Sequence, residues 1–435
     1  MIRAGVAVVD VTPPVGTAMD GYAARTAAAD GVHDRITVRA VCVEDTAVVT
    51  VDVCGLHEDL CAAVAERCVL PVDGVRVHAT HTHGGPACMP GRFGGGADPG
   101  WLGRLEDACV GAIDTAARRR VPARLLAGYG AQVDVARNRR RPDGPVDRAV
   151  PVVRIVAEDN STTIAVLTSY ACHPVALGAD NTLFTGDYPA VVRRVIEERC
   201  AGAVALFLTG CAGDANTGHT VSLQASVPRT FAAAERAGTT IAKAVLDARL
   251  APYDGPVTAA RGTADLEIAD DPGVDRAGWQ ERAAGPDPDT AVLMRHWLDW
   301  ADRISGTGGG VWTAPVGVLD WGGVRIVTLP GEPFAQTGLD VRAALDADGN
   351  GVTMVAGYTD GCPGYLPTAG EYALGGYEVA EAHRYYGMPG PFARGSAERL
   401  VETARQVYRA VVAAAELKVG RTYRRHCPGV ASGDS

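Results

Sequence analysis

The sequence contains no apolar run approaching about 18 residues, the length that a membrane-spanning helix needs, so no membrane span is predicted. Residues 1–10 enter a strand pattern directly and lack the charged and apolar regions of a secretory signal peptide. No Cys-x-x-Cys pair occurs among the 11 cysteines, which excludes a zinc ribbon. We therefore expect a cytoplasmic protein whose cysteines are reduced and mostly buried.

Positive charge is also scarce, since 41 lysines and arginines stand against 51 aspartates and glutamates. The formal net charge of −10 argues against nucleic acid as a partner, and only 118–120 and 137–141 form short basic runs. With 47% apolar residues, the 435-residue chain can build a large core. No linear pattern reveals the oligomeric state.

Strand-like and helix-like segments alternate along most of the chain, a pattern typical of α/β proteins. Segments 36–44 and 47–53 form a hairpin pattern, and further strands are predicted, among them 123–135. Hairpins combined with strand–helix units predict mixed β-sheets flanked by helices. In such folds, binding sites lie in the loops at strand ends.

The chain is predicted to form one domain over residues 1–420, followed by a flexible polar tail over 421–435. Residues 270–310 differ in character, because turn-forming Pro and Gly segments surround a single predicted helix at 290–304. This segment is predicted to be a helical insertion. It is either a lid over a pocket or plain surface structure.

Three histidines, His78, His81 and His83, lie in one short stretch that begins as a strand and ends at Gly84-Gly85-Pro86. In an extended chain successive side chains alternate faces, so His81 and His83 share a face and His78 points the other way. Two imidazoles spaced in this way can bind one metal ion. The alternative is a polar strand edge whose histidines are only hydrogen-bonded.

Four loops that follow predicted strands carry polar residues that could complete such a site. One contains His173, a second spans 210–216, a third ends at Glu332, and a fourth spans 357–365. Taken alone, His173 could be a capped core histidine and Glu332 a glutamate in the first turn of a helix. Two histidines and one carboxylate with an open position are the arrangement of a hydrolytic zinc site.

Six motifs, in their order along the chain, resemble the catalytic domain of neutral, non-lysosomal ceramidases and their shorter bacterial relatives. They are His81-Thr-His83-Gly-Gly-Pro86, Ala171-Cys-His173-Pro174, Gly186-Asp187-Tyr188, Gly213-Asp214, Pro330-Gly-Glu332 and Tyr365 with Glu371-Tyr372 and Tyr377-Glu378. The resemblance covers about residues 1–417 and implies the α/β catalytic domain of that family.

The resemblance also implies a set of site residues around one zinc ion per chain. The implied ligands are His81, His173, Glu332 and Tyr365. His83 would lie beside the metal as a proton-transfer group, Arg139 would face the substrate amide, and Tyr377 would lie near the scissile group. Asp187 and Asp214 are expected to orient the histidine ligands, unless they serve only in helix capping and turns.

The sequence departs from this family at the position of a serine, which is Asn216 here. An amide cannot act as a nucleophile, so we expect water to attack and Asn216 to form hydrogen bonds. The ceramidases also have an immunoglobulin-like C-terminal domain, which we do not expect in this chain. Together with the absence of an apolar membrane-facing stretch, this favours a small soluble substrate over ceramide, and no membrane partner.

We therefore expect a zinc-dependent amidohydrolase that cleaves an amide-type C–N bond in a small soluble metabolite. Zinc lowers the pKa of a bound water from about 15.7 toward about 7. His83 would pass a proton to the leaving nitrogen, while Arg139 and Tyr377 would stabilise the developing oxyanion.

Two alternatives remain open. The same site could catalyse acyl transfer or cyclisation in a biosynthetic pathway of secondary metabolism. The protein could also be a non-catalytic binding protein in which zinc only stabilises the fold. Asn216 favours this second alternative, whereas a ligand set with a carboxylate and a phenol indicates an open, catalytic site.

Overall fold

The computed structural model describes residues 2–93, 96–159, 162–218, 228–271, 273–304, 308–346 and 351–426. The strands are β1 (Ile2–Asp10), β2 (Gly31–Val32), β3 (Thr37–Val43), β4 (Thr46–Val51), β5 (Val75–Ala79), β6 (Val121–Gly130), β7 (Arg137–Asn138), β8 (Val150–Ala157), β9 (Thr163–Tyr170), β10 (Leu183–Phe184), β11 (Val204–Thr209), β12 (Ala215–Asn216), β13 (Ala251–Tyr253), β14 (Val257–Ile268), β15 (Gly310–Trp321), β16 (Val324–Thr328), β17 (Glu332–Pro333), β18 (Val352–Ala356) and β19 (Tyr365–Leu366). The helices are α1 (Glu58–Arg67), α2 (Pro99–Arg118), α3 (Asp187–Arg199), α4 (Phe231–Leu246), α5 (Arg276–Ala283), α6 (Pro288–Ile304), α7 (Ala335–Leu345), α8 (Tyr377–Ala380) and α9 (Ser396–His426).

The larger sheet is mixed and has the strand order β11-β9-β8-β6-β1-β3-β4-β5, with β13 paired to β6. Its central pairs are antiparallel, and β3 and β4 form the predicted hairpin. At the two ends of the sheet the pairs β11–β9 and β4–β5 are parallel. Five antiparallel pairings separate these two ends, so the two parallel pairs run in opposite directions within the sheet. The ends of β11 and β5 nevertheless meet, because Thr209 donates to His78 Nε2 at 2.9 Å and to the Thr80 carbonyl at 2.6 Å.

A second sheet, of order β14-β15-β16-β18, packs on the larger one. A mostly apolar layer fills the space between them, with Leu206 and Leu208 from one sheet against Ile326 and Met354 from the other. Helices α1 to α4 cover the outer face of the larger sheet, and α7 and α9 cover the smaller one. Each buried aliphatic side chain of such a layer contributes about 1.5–3 kcal/mol, so the two sheets hold a rigid frame for the loops. The predicted α/β class with mixed, helix-flanked sheets is confirmed.

His78 joins the two sheets at the edge where the site residues follow. Its Nε2 accepts the Thr209 N–H at 2.9 Å, and its Nδ1 donates to the Gly357 carbonyl and the Thr359 hydroxyl, both at 3.0 Å. Burial lowers the pKa of this imidazole to about 3, so it is neutral and can donate and accept at once. His78 points away from the other two histidines, as predicted, and has a structural role.

Two of the differences from the sequence-based prediction, in β6 and β15, show how pairing partners shape the sheets. The strand predicted over 123–135 ends at Gly130, because its partner β8 begins at Val150, opposite that residue. β15 was not predicted, since Pro315 and two glycines interrupt its pattern, yet it pairs with β14 along its whole length. Pairing with neighbouring strands, and not the preference of the local sequence, therefore determines where β6 ends and that β15 forms.

The predicted insertion over 270–310 contains α5 and α6, which pack through their own small core. Residues 272 and 305–307 of this segment lie outside the described residues, as do 427–435 of the predicted tail. α9 itself continues to His426. The domain boundary at 420 and the lid role of the insertion remain predictions. None of the described helices is both long enough and apolar enough to cross a bilayer.

Candidate active site

His81, His173 and Glu332 converge in the interior at the ends of three strands. The Nε2 atoms of His81 and His173 lie 3.3 and 2.9 Å from Oε2 of Glu332. All three side chains are buried, and these atoms lie within 4.8 Å of one another. Although these two atoms are close, neither Nε2 of His173 nor Oε2 of Glu332 has a hydrogen-bond partner of suitable geometry. Three of the four predicted ligands therefore form one cluster of donor atoms.

Main-chain carbonyls orient the two imidazoles. Nδ1 of His173 donates to the Ala212 carbonyl at 2.6 Å, and Nδ1 of His81 donates to the Cys54 carbonyl. An imidazole whose Nδ1 carries the proton has an Nε2 lone pair available for a cation. Both lone pairs are on the side of the imidazoles that faces Glu332.

Asp187 and Asp214 do not hydrogen-bond to either imidazole in the described part of the chain, so their orienting role stays a prediction, and their contacts are those of the capping and turn alternative. Asp187 begins α3 and accepts N–H groups of Leu177 and Tyr188 at 3.1 and 2.6 Å. Asp214 accepts the Ala335 N–H at 2.7 Å, at the start of α7. Both carboxylates stabilise the loops, because they satisfy main-chain donors that the turns expose.

The protonation states at the cluster suit a cation. Burial would raise the pKa of Glu332, but the adjacent His81 and His173 outweigh burial and hold its pKa below the usual value. Burial, together with the Arg139 cation, lowers the pKa of His173 to about 4. At neutral pH the carboxylate is therefore ionised and the His173 imidazole neutral, as metal ligands must be.

Tyr365 lies beside the cluster, since β19 pairs in parallel with β17 and sets Tyr365 opposite Glu332. Its ring stacks on that of His173 with centroids 6.4 Å apart. The Arg139 guanidinium lies 5.3 Å from the Tyr365 ring centroid, and the Tyr377 ring lies 6.0 Å from it on another side. The fourth predicted ligand and two predicted catalytic residues thus surround the same centre.

Arg139 is held by one carboxylate and keeps an unused donor. Its Nε donates to Glu378 at 3.0 Å, whereas one of its terminal nitrogens is buried and has no hydrogen-bond partner. Burial alone would lower the pKa of Arg139, but Tyr365 and Glu378 raise it, so the side chain remains a cation. A buried cation with a free N–H is suited to bind a carbonyl oxygen.

His83 lies next to His81, with 3.3 Å between their Nε2 atoms. The prediction of a shared face rested on extended backbone, but β5 ends at Ala79 and His81 has φ of 62°, so a turn brings the rings together. Gly21 packs on the His83 ring at φ of 106°, where a Cβ would come within 2.6 Å of His83 Cγ. Only glycine allows this close contact.

Asn216 is buried on β12, which pairs with β7 and so aligns it with Arg137. The preceding residue, Ala215, accepts the His173 N–H at 2.8 Å. The Asn216 side chain accepts the Gly218 N–H at 2.9 Å. Asn216 therefore belongs to the loop that positions His173, and its predicted hydrogen bond to the substrate remains a prediction.

Two tyrosines at the cluster were missed by the sequence analysis. The Tyr386 hydroxyl donates to Oε1 of Glu332, the oxygen that faces away from the histidines. The Tyr358 ring stacks on His81 with centroids 4.0 Å apart. The abundance of tyrosine in 358–391 was the only signal, and it could not separate these residues from ordinary core tyrosines.

The segment that carries Tyr386 is anchored to the helical insertion through Arg384. The Arg384 guanidinium lies 4.9, 4.9 and 5.7 Å from the rings of Trp279, Trp297 and Trp300. It also forms a salt bridge with Asp271 at 2.8 Å. Cation–π contacts of this kind contribute about 0.5–2 kcal/mol each, so the insertion holds the 383–386 segment against the site.

Replacing Arg384 with lysine should lower metal affinity about 10-fold, although residue 384 touches no predicted ligand. Lysine keeps the charge but loses the planar group that stacks on the indoles, which should loosen Tyr386 and its bond to Glu332. Competition with a chromogenic chelator measures the affinity. Arg295→Lys, at an exposed position of α6, is the matched control, and equal affinities for both variants would contradict this coupling.

Comparison with known proteins places the chain in a family. The sequence-family model described as neutral/alkaline non-lysosomal ceramidase, N-terminal, matches residues 2–222, which are just over half of the chain. The neutral ceramidase from Pseudomonas aeruginosa has a similar structure, with a TM-score of 0.71 and 18% sequence identity over 94% of this chain and 75% of that chain. A ceramidase complexed with C2 gives a TM-score of 0.71 at 17% identity, over 94% and 76% of the two chains.

Sequence comparison with curated proteins yields no significant match. At 17–18% identity the structural likeness establishes the fold and leaves the substrate open. The family model rests on the sequence itself and covers the strands that lead to His81, His83 and His173. The chain therefore belongs to the neutral/alkaline non-lysosomal ceramidase family, which implies a hydrolase that acts on an amide bond.

Proposed function

We propose that this protein is a zinc-dependent amidohydrolase that cleaves the amide C–N bond of a small polar metabolite, with water as the nucleophile. The observation that carries the proposal is the buried cluster of His81, His173 and Glu332, whose facing atoms are two imidazole nitrogens and one carboxylate oxygen. The family supports the amide bond as the target.

The donor set fits a zinc ion. Nε2 of His173 and Oε2 of Glu332 are buried without hydrogen-bond partners, which is costly unless a cation binds there. Two imidazoles and a carboxylate are the ligands of hydrolytic zinc sites, and the Tyr365 phenol is the proposed fourth ligand. A zinc ion held by these residues would polarise the amide carbonyl and make water more acidic.

The residues around the cluster supply the remaining chemistry. We assign proton transfer to His83, because its Nε2 lies 3.3 Å from that of His81 and it can pass a proton from water to the leaving nitrogen. The free N–H of Arg139 is assigned to the amide oxygen, where negative charge develops. Tyr377, next to Tyr365, would assist it.

Asn216 supports direct attack by water over a covalent intermediate. It occupies the position of a serine in the resembling ceramidases, and its side chain accepts a main-chain N–H. A carboxamide has no nucleophilic oxygen that could form an acyl-enzyme. Cytoplasmic location and a role in secondary metabolism stay predictions from the sequence.

Turnover of N-acyl amides in ¹⁸O-labelled water tests the proposal. We expect the zinc-loaded protein to release an acid with one ¹⁸O atom per turnover, because the oxygen that replaces the amine comes from water. Dialysis against a chelator should abolish turnover, and zinc should restore it. An ester or cyclised product without ¹⁸O would indicate acyl transfer or cyclisation. Full zinc occupancy without any reaction would favour a binding protein.

A further inference from the structure

Two arginines lie around Tyr22, on the side of the site where His83 is found. The Tyr22 ring contacts the His83 ring with centroids 4.9 Å apart. The guanidinium carbons of Arg25 and Arg229 lie 5.0 and 5.8 Å from the Tyr22 centroid. Two positive charges are thus one aromatic ring away from the proposed proton-transfer group.

Neither arginine is paired with a carboxylate in the described part of the chain. Arg25 is only 9% exposed, and it donates to the carbonyl oxygens of Asp20 and Gly178 at 2.9 and 3.3 Å. The Nε atoms of Arg25 and Arg229 are both buried without a hydrogen-bond partner. Buried Arg193, by contrast, faces the Asp52 carboxylate at 2.5 Å, whereas buried Arg76 resembles Arg25 in donating to two main-chain carbonyls.

Asp20 precedes Arg25 in the same loop segment, and it compensates little of the positive charge of Arg25. Its carboxylate accepts the Cys88 N–H at 3.0 Å, and Arg25 contacts only its main-chain carbonyl. Burial raises the pKa of Asp20 to about 7, so the group is partly protonated at neutral pH. The buried Asp187 carboxylate also acts on Tyr22, but it accepts the Leu177 and Tyr188 N–H groups and forms no salt bridge with either arginine in the described part of the chain. Among the described residues, both guanidinium groups therefore still lack a directly paired anion.

We propose that Arg25 and Arg229 bind an anionic group of the substrate, so that the amide that is cleaved belongs to an anionic molecule. A buried guanidinium without a counter-ion is unfavourable, and a carboxylate or phosphate satisfies it with paired hydrogen bonds. The two residues then determine specificity, because a neutral amide leaves both charges uncompensated. This inference rests on the proposed function and defines its substrate class.

A set of substrates with one acyl group tests the inference and locates the anion. The set contains an N-acylglycine, its neutral carboxamide and an N-acyl-O-phosphoethanolamine, with a glutaric monoamide to place the carboxylate on the acyl side. We expect kcat/KM for at least one anionic substrate to exceed that of the neutral carboxamide by about 10–100-fold, as expected for hydrogen bonds to charged groups. The preferred anion distinguishes a carboxylate from a phosphate.

Arg25→Met and Arg229→Met should reduce this preference toward a ratio of one. Arg25→Met removes bonds to two main-chain carbonyls and can impair folding, whereas Arg229 has no hydrogen bond among the described residues and is the safer variant. Arg104→Met, at an exposed position of α2, removes the same charge far from any predicted ligand and should keep the preference.

Calorimetric binding of the N-acylglycine and its carboxamide separates this inference from the proposed function. Turnover of both amides at equal rates, or a preference for the anion that persists in Arg229→Met, would contradict the anion site but leave the proposed hydrolase function intact. If the zinc-loaded protein binds the anionic amide selectively but does not turn it over, the proposed hydrolase function is wrong and the anion site is supported. Equal binding of the two ligands would overturn the anion site in either case.

Discussion

Replacing Glu332 with glutamine should remove metal binding and lower turnover by more than about 100-fold, and it should also destabilise the metal-free protein. Residues that only support a metal ligand cost about 10–100-fold when lost, so a ligand should cost more. Without metal, the buried Glu332 carboxylate faces two imidazoles and a single hydroxyl donor from Tyr386. Because these imidazoles outweigh burial and hold the pKa of Glu332 below its usual value, the ionised carboxylate stabilises the folded protein, and the neutral amide loses that contribution.

Thermal unfolding with and without zinc, together with metal analysis, measures both effects. Zinc should raise the melting temperature of the wild type, because a ligand stabilises the state that binds it, and should leave Glu332→Gln unchanged. In chelator the difference should shrink but keep its sign, with Glu332→Gln still melting below the wild type. Glu66→Gln, at an exposed position of α1, should match the wild type in both conditions. One zinc per chain in the Glu332 variant would contradict its role as a ligand.

Local sequence patterns predict most elements of this fold. The valine-rich alternation of β3 and β4 and the periodic apolar positions of α2 and α4 are properties of the segments themselves. The order of strands and the packing of the two sheets depend on contacts between distant residues, and no short window contains them. β15 illustrates this limit, because its partner β14 precedes it across the whole helical insertion.

The same reasoning explains which site residues could be predicted. His173 and Glu332 follow strands closely, a position in which site residues are common in α/β folds. They come from different sheets, so the packing of the two sheets, which no local pattern predicts, brings them together. Tyr386 and Arg25 lie in irregular segments, where neither periodicity nor a motif distinguishes a residue of the site from one of the core. The orienting groups of the histidines are carbonyls of Cys54 and Ala212, which any residue could supply.

Replacing His83 with alanine should lower kcat by about 10²–10⁴-fold and leave metal content unchanged. His83 is next to the cluster but forms no contact with Glu332 of the kind that His81 and His173 form. Its loss should therefore affect proton transfer and not ligation. Alanine also opens a cavity beside Gly21 and Tyr22, whose atoms now contact the ring. Added imidazole should enter this cavity and restore part of kcat.

Rescue by imidazole separates a proton-transfer role from a structural one, because a base free in solution cannot repair a distorted site. His33→Ala is the matched control, since this half-exposed imidazole pairs with Asp34 away from the cluster, and its kcat should be unaffected by imidazole. If His83→Ala retains full kcat, proton transfer must belong to another group, and Tyr377 is the next candidate near Tyr365. If zinc is lost together with kcat, His83 acts on the metal itself, and the separation of ligands from proton-transfer groups is wrong.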